Sequence, residues 1–596
     1  MLDLMQTPAT FADLVTEVEK IGADTGRQAV IARYREWIAA HQGDALLHAA
    51  WFNLAVELNQ AGDAPGARAA YETSLSLHPG FAPAATNLGL LLERGGDGAA
   101  ALATWARATQ ADESRTTLLN HQARLSETTG RLAEAEALLR RSLATNRDQP
   151  DAIQHFVHLR QKMCEWPVLD GSTFGLSPAD MLASCGPLGV MALTDDIAAQ
   201  TAIATGWIGR KTRAVPQRLA PPLGYRHDRL RIGYLSSDFC RHAMSYLVAE
   251  LFERHDRARF EVFGYCSTID DGSAVRRRVL AGFDHCRIVL GLTDEQAARA
   301  IREDEIDILV DLNGLTQGSR LQILRWRPAP VQATYLGFVG PVPVPELDYL
   351  FCDDIVVPPQ AAAAYLPRPL AIGPCYQAND SRREGLRDLT REEAGLPPEG
   401  FVFCCFSNHY KVTTEVFAAW MRILQRAEGS WLWLAVDNVW SQQNLSRAAA
   451  AAGVAPERLI FASRCDPDRY LGRLAAADLF LDTFPYNAGT IASDAMRMGL
   501  PIVTLCGQAF ASRMATSLLS ALGSTQGVTS SLAAYEAKAV EFATDPVAYR
   551  AYKRCFTRQR WHETIGDMSA MIRHYEKALK QIATQARRPE AQATNE

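Results

Sequence analysis

The sequence predicts an α-helical repeat solenoid followed by two doubly wound α/β domains. Three observations carry this. Residues recur with a 34-residue period over about 45–148, strand-like and helix-like segments alternate from about residue 229, and that alternation runs through two successive series. At 596 residues the chain is too long for one core. Hydrophobic content of 48% and charged content of 21% place it among globular proteins and not disordered ones. No apolar run is long enough to span a bilayer. The start, MLDLMQTPATFADLVTEVEK, lacks the basic and apolar regions of a secretory signal. A net charge of −6 gives no general attraction to nucleic acid. The twelve cysteines are scattered with no C-x-x-C pair, which points to reduced thiols in a cytoplasm and to neither a disulfide framework nor a zinc site.

The repeat is set by four registers. Gly62, Gly96 and Gly130 are spaced by 34, as are Ala67, Ala101 and Ala135. Tyr71, Trp105 and Leu139 follow, and so do Ser74, Ala108 and Ser142. Each glycine falls between two helical patterns, so each unit is a helix–turn–helix with small residues at the crossing and large ones at the stacking face. This resembles the tetratricopeptide repeat. A degenerate pair at about 10–42 and a helix at about 151–164 cap the array, which is expected over 1–164. Such arrays bind proteins or peptides.

Residues 165–225 form an intervening segment ending in the Pro-rich AVPQRLAPPLGYRHD. RLRIGYLS (229–236), FEVFGYCS (260–267), DILVDL (307–312), VQATYLGF (331–338) and DYLFCD (348–353) then read as buried strands of a lobe over 226–385. FVFCCFS (401–407), WLWLAV (431–436), RLIFAS (458–463), LFLDTF (479–484) and PIVTLC (501–506) read as those of a second lobe over 386–540. Helices between them imply parallel sheets covered on both faces, with ligands beyond the carboxyl ends of the strands. C-terminal helices and a tail fill 541–596.

The chemistry-bearing residues fall at those strand ends. After LFLDTF, Asn487, Ala488 and Gly489 form a tight loop and Thr490 opens a helix. Free amides and a hydroxyl at a helix start suit phosphate, and Asp494, one turn in, suits ribose hydroxyls. An ordinary β–α turn with Thr490 as N-cap fits the same residues. After FVFCCFS comes Lys411, the only lysine between Lys211 and Lys538 among eight lysines in 61 basic residues. Lysine supplies a compact point charge that arginine does not, which suits a departing diphosphate; a solvated lysine is the plain alternative. His242, beyond the first strand, suits acid–base work or a hydrogen bond to a sugar, and a structural histidine fits the same position. Asp466 and Asp468, around Pro467, suit a turn and helix cap better than a metal site.

Together, RIGYLSSDFCRH, DILVDLNGLTQGSR, RPAPVQATYLGF, NHYKVTTEVFAAW, FLDTFPYNAGTIASDAMRMGLPIVT and FASRMATSLL resemble the tetratricopeptide-linked protein glycosyltransferases, the O-GlcNAc transferase and SPINDLY family with its bacterial members. The resemblance implies a two-lobed GT-B fold. It also implies an inverting, metal-independent transfer of a sugar from a nucleotide to protein Ser or Thr, with no cofactor. It makes Lys411 the diphosphate-stabilising lysine, and Asn487, Gly489, Thr490 and Asp494 the diphosphate and ribose site. It assigns His242 and Asp304 to acid–base or sugar-binding roles. Asn408 falls near the phosphates, Cys465 and Tyr470 where the nucleotide base is held, and Arg473 at a nearby basic position. The chain departs from the family at Gly489, where animal enzymes have histidine. It departs again at Pro467, Tyr470 and Leu315, and in GFVGPVPVPE. These departures leave the donor open among UDP-GlcNAc, UDP-glucose, GDP-fucose and a CMP-nonulosonate. The acceptor is expected to be a protein held by the repeats, with flagellin the first candidate. A catalytically silent adaptor and a transferase acting on glycans or lipids are the competing readings.

Overall fold

The computed structural model describes residues 10–24, 26–111, 116–383, 387–463 and 465–587. The outer ends of the expected array and tail, 1–9 and 588–596, lie outside them. By internal contacts the chain forms two units, Met1–Leu159 with Leu169–Met181, and Arg160–Val168 with Leu182–Glu596.

The first unit is built of helices α1 (Phe11–Asp24), α2 (Arg27–Ala40), α3 (Leu47–Gln60), α4 (Ala64–Leu77), α5 (Ala82–Arg94), α6 (Gly98–Ala111), α7 (Thr116–Thr128) and α8 (Leu132–Thr145), with α9 (Pro150–Met163) beginning in it. Gly62, Gly96 and Gly130 turn one helix into the next at φ of 85, 86 and 78°. A Cβ at any of the three would meet nothing within 4 Å, so backbone conformation and not crowding demands glycine. Gly89 is the opposite case, since a Cβ there would lie 2.1 Å from Nε1 of Trp105. Ala67, Ala101 and Ala135 are fully buried at the helix crossings, and Trp37, Tyr71 and Trp105 fill the space between them.

The second unit holds two parallel sheets. In the first lobe β1 (Leu230–Ser236), β2 (Phe260–Cys266), β3 (His285–Ile288), β4 (Ile308–Asp311), β5 (Val331–Thr334), β6 (Tyr349–Cys352) and β7 (Arg368–Ala371) run in the order β3-β2-β1-β4-β5-β6-β7. In the second, β8 (Val402–Cys405), β9 (Trp431–Ala435), β10 (Leu459–Ala462), β11 (Leu479–Leu481), β12 (Ile502–Leu505) and β13 (Val528–Thr529) run β10-β9-β8-β11-β12-β13. Registers such as Ile232 opposite Ile308 and Phe403 opposite Leu479 place the central strands out of water on both faces. β5 is shorter than its apolar run predicts. The chain turns at Leu336, at φ 71°, and the Gly337 N–H closes on the Tyr335 carbonyl at 2.8 Å.

The segment before the first lobe packs against the second. Asp195 accepts from the backbone N–H groups of Gln508 at 2.7 Å and Ala509 at 2.9 Å. The C-terminal helix Met568–Ala586 returns to the first sheet and enters its core. Tyr575 lies 5.6 Å from the rings of both Tyr335 and Phe351, its hydroxyl bonds that of Tyr234, and Glu576 meets the buried His255 at 3.2 Å. No described helix is long and apolar enough to cross a membrane.

Candidate active site

In both sheets the strand order reverses beside the first strand, between β1 and β4 and between β8 and β11. That is where doubly wound sheets leave a crevice. A cleft of about 740 Å³ opens there, lined by both lobes.

The second lobe supplies the charged wall. Beyond β8 the chain makes a 3-10 turn, His409–Lys411, with Asn408 as its cap. The turn aims Lys411 across β8 to β11, where Nζ donates to the Asn487 carbonyl at 3.1 Å and sits 3.4 Å over the Tyr486 ring. Burial of the ammonium pulls its pKa down to about 8, against the opposing pull of Asp482. Asp482 is the first residue after β11 and is 1% exposed. One of its oxygens accepts from the N–H groups of Thr483 and Ala488, both at 2.8 Å, and the other accepts from the Thr504 hydroxyl at 2.7 Å. It therefore shapes the loop that precedes the helix Thr490–Arg497. Burial pushes its carboxyl up to about 7, with Thr504, Ala488 and Lys411 opposing.

Gly489 is the residue before that helix, and Gly489, Thr490 and Ile491 face the cleft. Unpaired amides at such a start attract anions. A Cβ on Gly489 would come 3.2 Å from the Tyr376 hydroxyl and 3.3 Å from Oε1 of Gln377. Those two side chains thus occupy the volume a larger residue would claim. Asp494 also lines the cleft, but its carboxylate is engaged at 3.6 Å by Arg383. Asn408, Cys465, Tyr470 and Arg473 line the remainder of this wall, Arg473 donating to the Ser463 carbonyl at 2.6 Å.

The first lobe contributes His242, Tyr246, Leu336 and Val339 among others. His242 caps the helix Ala243–Glu253, its Nδ1 accepting from the Met244 N–H at 3.3 Å. Asp238 lies 3.7 Å from the same nitrogen and is held by Nδ2 of Asn313 at 2.8 Å. Burial raises the Asp238 carboxyl, and His242 is the first of the groups opposing that shift.

Two expected site residues are not in this group. Asp304 does not line the cleft. It ends the helix Asp294–Glu303 ahead of β4, at the amino ends of the strands and away from the cleft, where its carboxylate accepts from the Tyr265 hydroxyl at 2.8 Å and pairs with Arg287. The carboxylate beside His242 is Asp238 instead. Asn487 turns its side chain inward to the Thr483 carbonyl at 2.8 Å, and only its own carbonyl reaches Lys411. Leu315 is buried in the first lobe's core. Asp466 sits exposed at the start of the helix Pro467–Leu474 without a side-chain cap bond; the side chains of Pro467 and Asp468 are outside the described residues. Among the described residues no three or more His, Cys, Asp or Glu side chains gather as metal ligands would.

Sequence reasoning misses Asp238, Asp482, Tyr376, Gln377 and Arg383. The first two carry a signal: Asp482 lies within the strand segment LFLDTF, and Asp238 two residues beyond RLRIGYLS.

The model of glycosyl transferase family 41 matches residues 215–382 and 380–575, more than half of the chain. A probable UDP-N-acetylglucosamine–peptide N-acetylglucosaminyltransferase SEC of Arabidopsis thaliana is 34% identical over 357 residues, 59% of this chain and 36% of that protein. A probable UDP-N-acetylglucosamine–peptide N-acetylglucosaminyltransferase SPINDLY of Oryza sativa subsp. japonica is 28% identical over 330 residues, 54% of this chain and 35% of that one. The chain thus spans about a third of the length of these curated relatives. The solved structure of a lysine-to-methionine mutant of Thermobaculum terrenum O-GlcNAc transferase superposes with a TM-score of 0.66 at 26% identity, covering 90% of this chain and 98% of that one.

Proposed function

Because the chain belongs to glycosyl transferase family 41, we propose that it transfers a sugar from a nucleotide donor to Ser or Thr of a protein held by the helical array. The support is the meeting of Lys411 with the loop that opens the helix Thr490–Arg497, which sets a cation and free amides on one wall of the cleft. In this reading the acceptor hydroxyl attacks the anomeric carbon on the face opposite the phosphate. The carbon–oxygen bond to phosphate breaks, and the nucleotide leaves with that electron pair. Lys411 and the amides of Gly489 and Thr490 meet the charge that develops, so no metal is needed. The hydroxyl proton passes to the acceptor side of the cleft, where His242 and Asp238 stand. Asn408 borders the phosphates. Cys465, Tyr470 and Arg473 border the base, and Asp494 the ribose.

The names of the relatives make UDP-N-acetylglucosamine the first donor to test, with GDP-fucose and a CMP-nonulosonate beside it. Flagellin is the first acceptor to test, in the cytoplasm where nucleotide sugars are made. Proteins that co-purify with the wild-type chain and with Lys411→Ala are to be compared by mass spectrometry. A sugar adduct on a shared partner in the wild type alone is expected, and its mass identifies the donor. An equal adduct with the variant overturns the reading.

A further inference from the structure

We infer that Arg383 is a positioning residue for nucleotide recognition: its guanidinium, set between Tyr246 of the first lobe and Asp494 of the second, fixes the Asp494 carboxylate as an acceptor for ribose hydroxyls. This rests on the proposed use of the cleft by a nucleotide donor.

Arg382 and Arg383 are neighbours with opposite fates. The side chain of Arg382 is half exposed and pairs with Glu253 at 3.1 Å and Glu250 at 3.5 Å on the helix Ala243–Glu253. That of Arg383 is 13% exposed and lines the cleft. Its Nη1 lies 3.6 Å from Oδ1 of Asp494, and its guanidinium lies 4.6 Å over the Tyr246 ring, which offers a negative face to a cation. The backbone behind it is held from the helix that carries Asp494. Arg497, one turn further on, donates to the carbonyls of Asp380 at 3.0 Å and of Ser381 and Arg383, both at 3.1 Å, while lying 4.6 Å over the Trp561 ring. Arg383 is therefore fixed at its backbone and at its tip. A surface arginine would pay side-chain entropy for such a geometry and gain little from it.

The groups facing Asp494 are Arg383 from the interlobe segment, Arg497 from its own helix, and the Tyr470 ring from the helix Pro467–Leu474. The Tyr470 hydroxyl is buried with no hydrogen-bond partner among the described residues, beside the charges of Asp494 and Arg383. A polar atom buried in that state is costly unless a ligand satisfies it. A carboxylate accepts two hydroxyls at once, and its protonated form does so poorly. Burial raises Asp494 to about 6, with Arg383 and then Arg497 opposing that shift. Arg497 is committed to three carbonyls, so removing Arg383 leaves the carboxyl more easily protonated at neutral pH.

The test is calorimetric titration of the full chain with UDP, GDP and CMP between pH 5 and 8. Wild-type affinity for at least one of them should fall as pH drops through about 6, as the Asp494 carboxylate is protonated. Arg383→Ala should raise that midpoint by about one pH unit, weakening binding roughly twofold at pH 7 and about tenfold at pH 5. Arg383→Lys should restore most of the affinity. Asp494→Asn, which cannot ionise, should leave only the pH dependence of the nucleotide's own terminal phosphate, and adding Arg383→Ala to it should cost nothing more. Wild-type affinity and midpoint in Arg383→Ala overturn the inference, and so does an undiminished loss in the Asp494→Asn background. Failure of the wild-type chain to bind any of the three nucleotides removes the proposed function and this inference with it.

Discussion

β1 and β8 hold the same place in their sheets, each beside the point where the strand order reverses, and each feeds its turn into one cleft. The two turns carry different chemistry. After β8 the turn delivers an ammonium against a buried carboxylate and a helix start, with its Nζ on the Asn487 carbonyl. After β1 it delivers a half-exposed imidazole that serves as a helix cap, with a carboxylate nearby. The topology dictates where a ligand sits; the few residues after the strand decide whether that wall meets charge or exchanges a proton. The first lobe adds Leu336 and Val339, whose apolar side chains exclude water without offering a partner.

The comparison breaks most plainly at Lys411. Lys411→Ala should lower turnover about 10²–10³-fold with little change in donor KM, since the contact matters mainly as charge develops. Steady-state kinetics would show it, and a change confined to KM would make the β8 wall a mere binding surface. The next effect belongs to the β1 wall. His242→Asn keeps a good helix cap and removes the imidazole. Turnover should fall about 10²-fold with an unchanged melting temperature if the ring handles a proton. Full activity in that variant would reduce His242 to its cap. Smaller still is a pH effect that separates the walls. Burial disfavours the charged form of Lys411, so the ammonium is complete well below pH 8 and is lost as pH rises through about 8. The kcat/KM for donor should fall by up to about tenfold per pH unit above that point; a profile flat to about pH 10 would contradict it. The smallest expected effect is none: transfer in excess EDTA should equal transfer without it. Loss on chelation restored by Mn²⁺ would bring a metal into the β8 wall.

Much of this fold is legible because parallel strands buried on both faces read as unbroken apolar runs, as in FVFCCFS and RLRIGYLS. β3 escapes that reading because its four residues, His285–Ile288, form an exposed edge and carry two basic side chains. β7 escapes because Pro369 interrupts it. The glycines of the array are legible from spacing alone, since each turn needs the same backbone conformation. In the cleft, Lys411 stands out as a lone lysine in an arginine-rich chain, and Arg383 is hidden by the same bias. The inward turn of the Asn487 side chain is invisible in sequence, for it depends on the Thr483 carbonyl. Asp304 shows the limit of matching a motif. It ends a helix and precedes a strand, so the chain leaves it at the amino ends of strands whose carboxyl ends meet the cleft.

The return of the helix Met568–Ala586 to the first sheet has a consequence for biosynthesis. Tyr575, Leu579 and Ile582 belong to the first lobe's core, yet the ribosome adds them only after the entire second lobe has been made. The second lobe can close while the first still exposes the apolar face that this helix covers. The lobe synthesised earlier is thus the later one to complete its core, and through that interval its uncovered apolar face is open to misassembly.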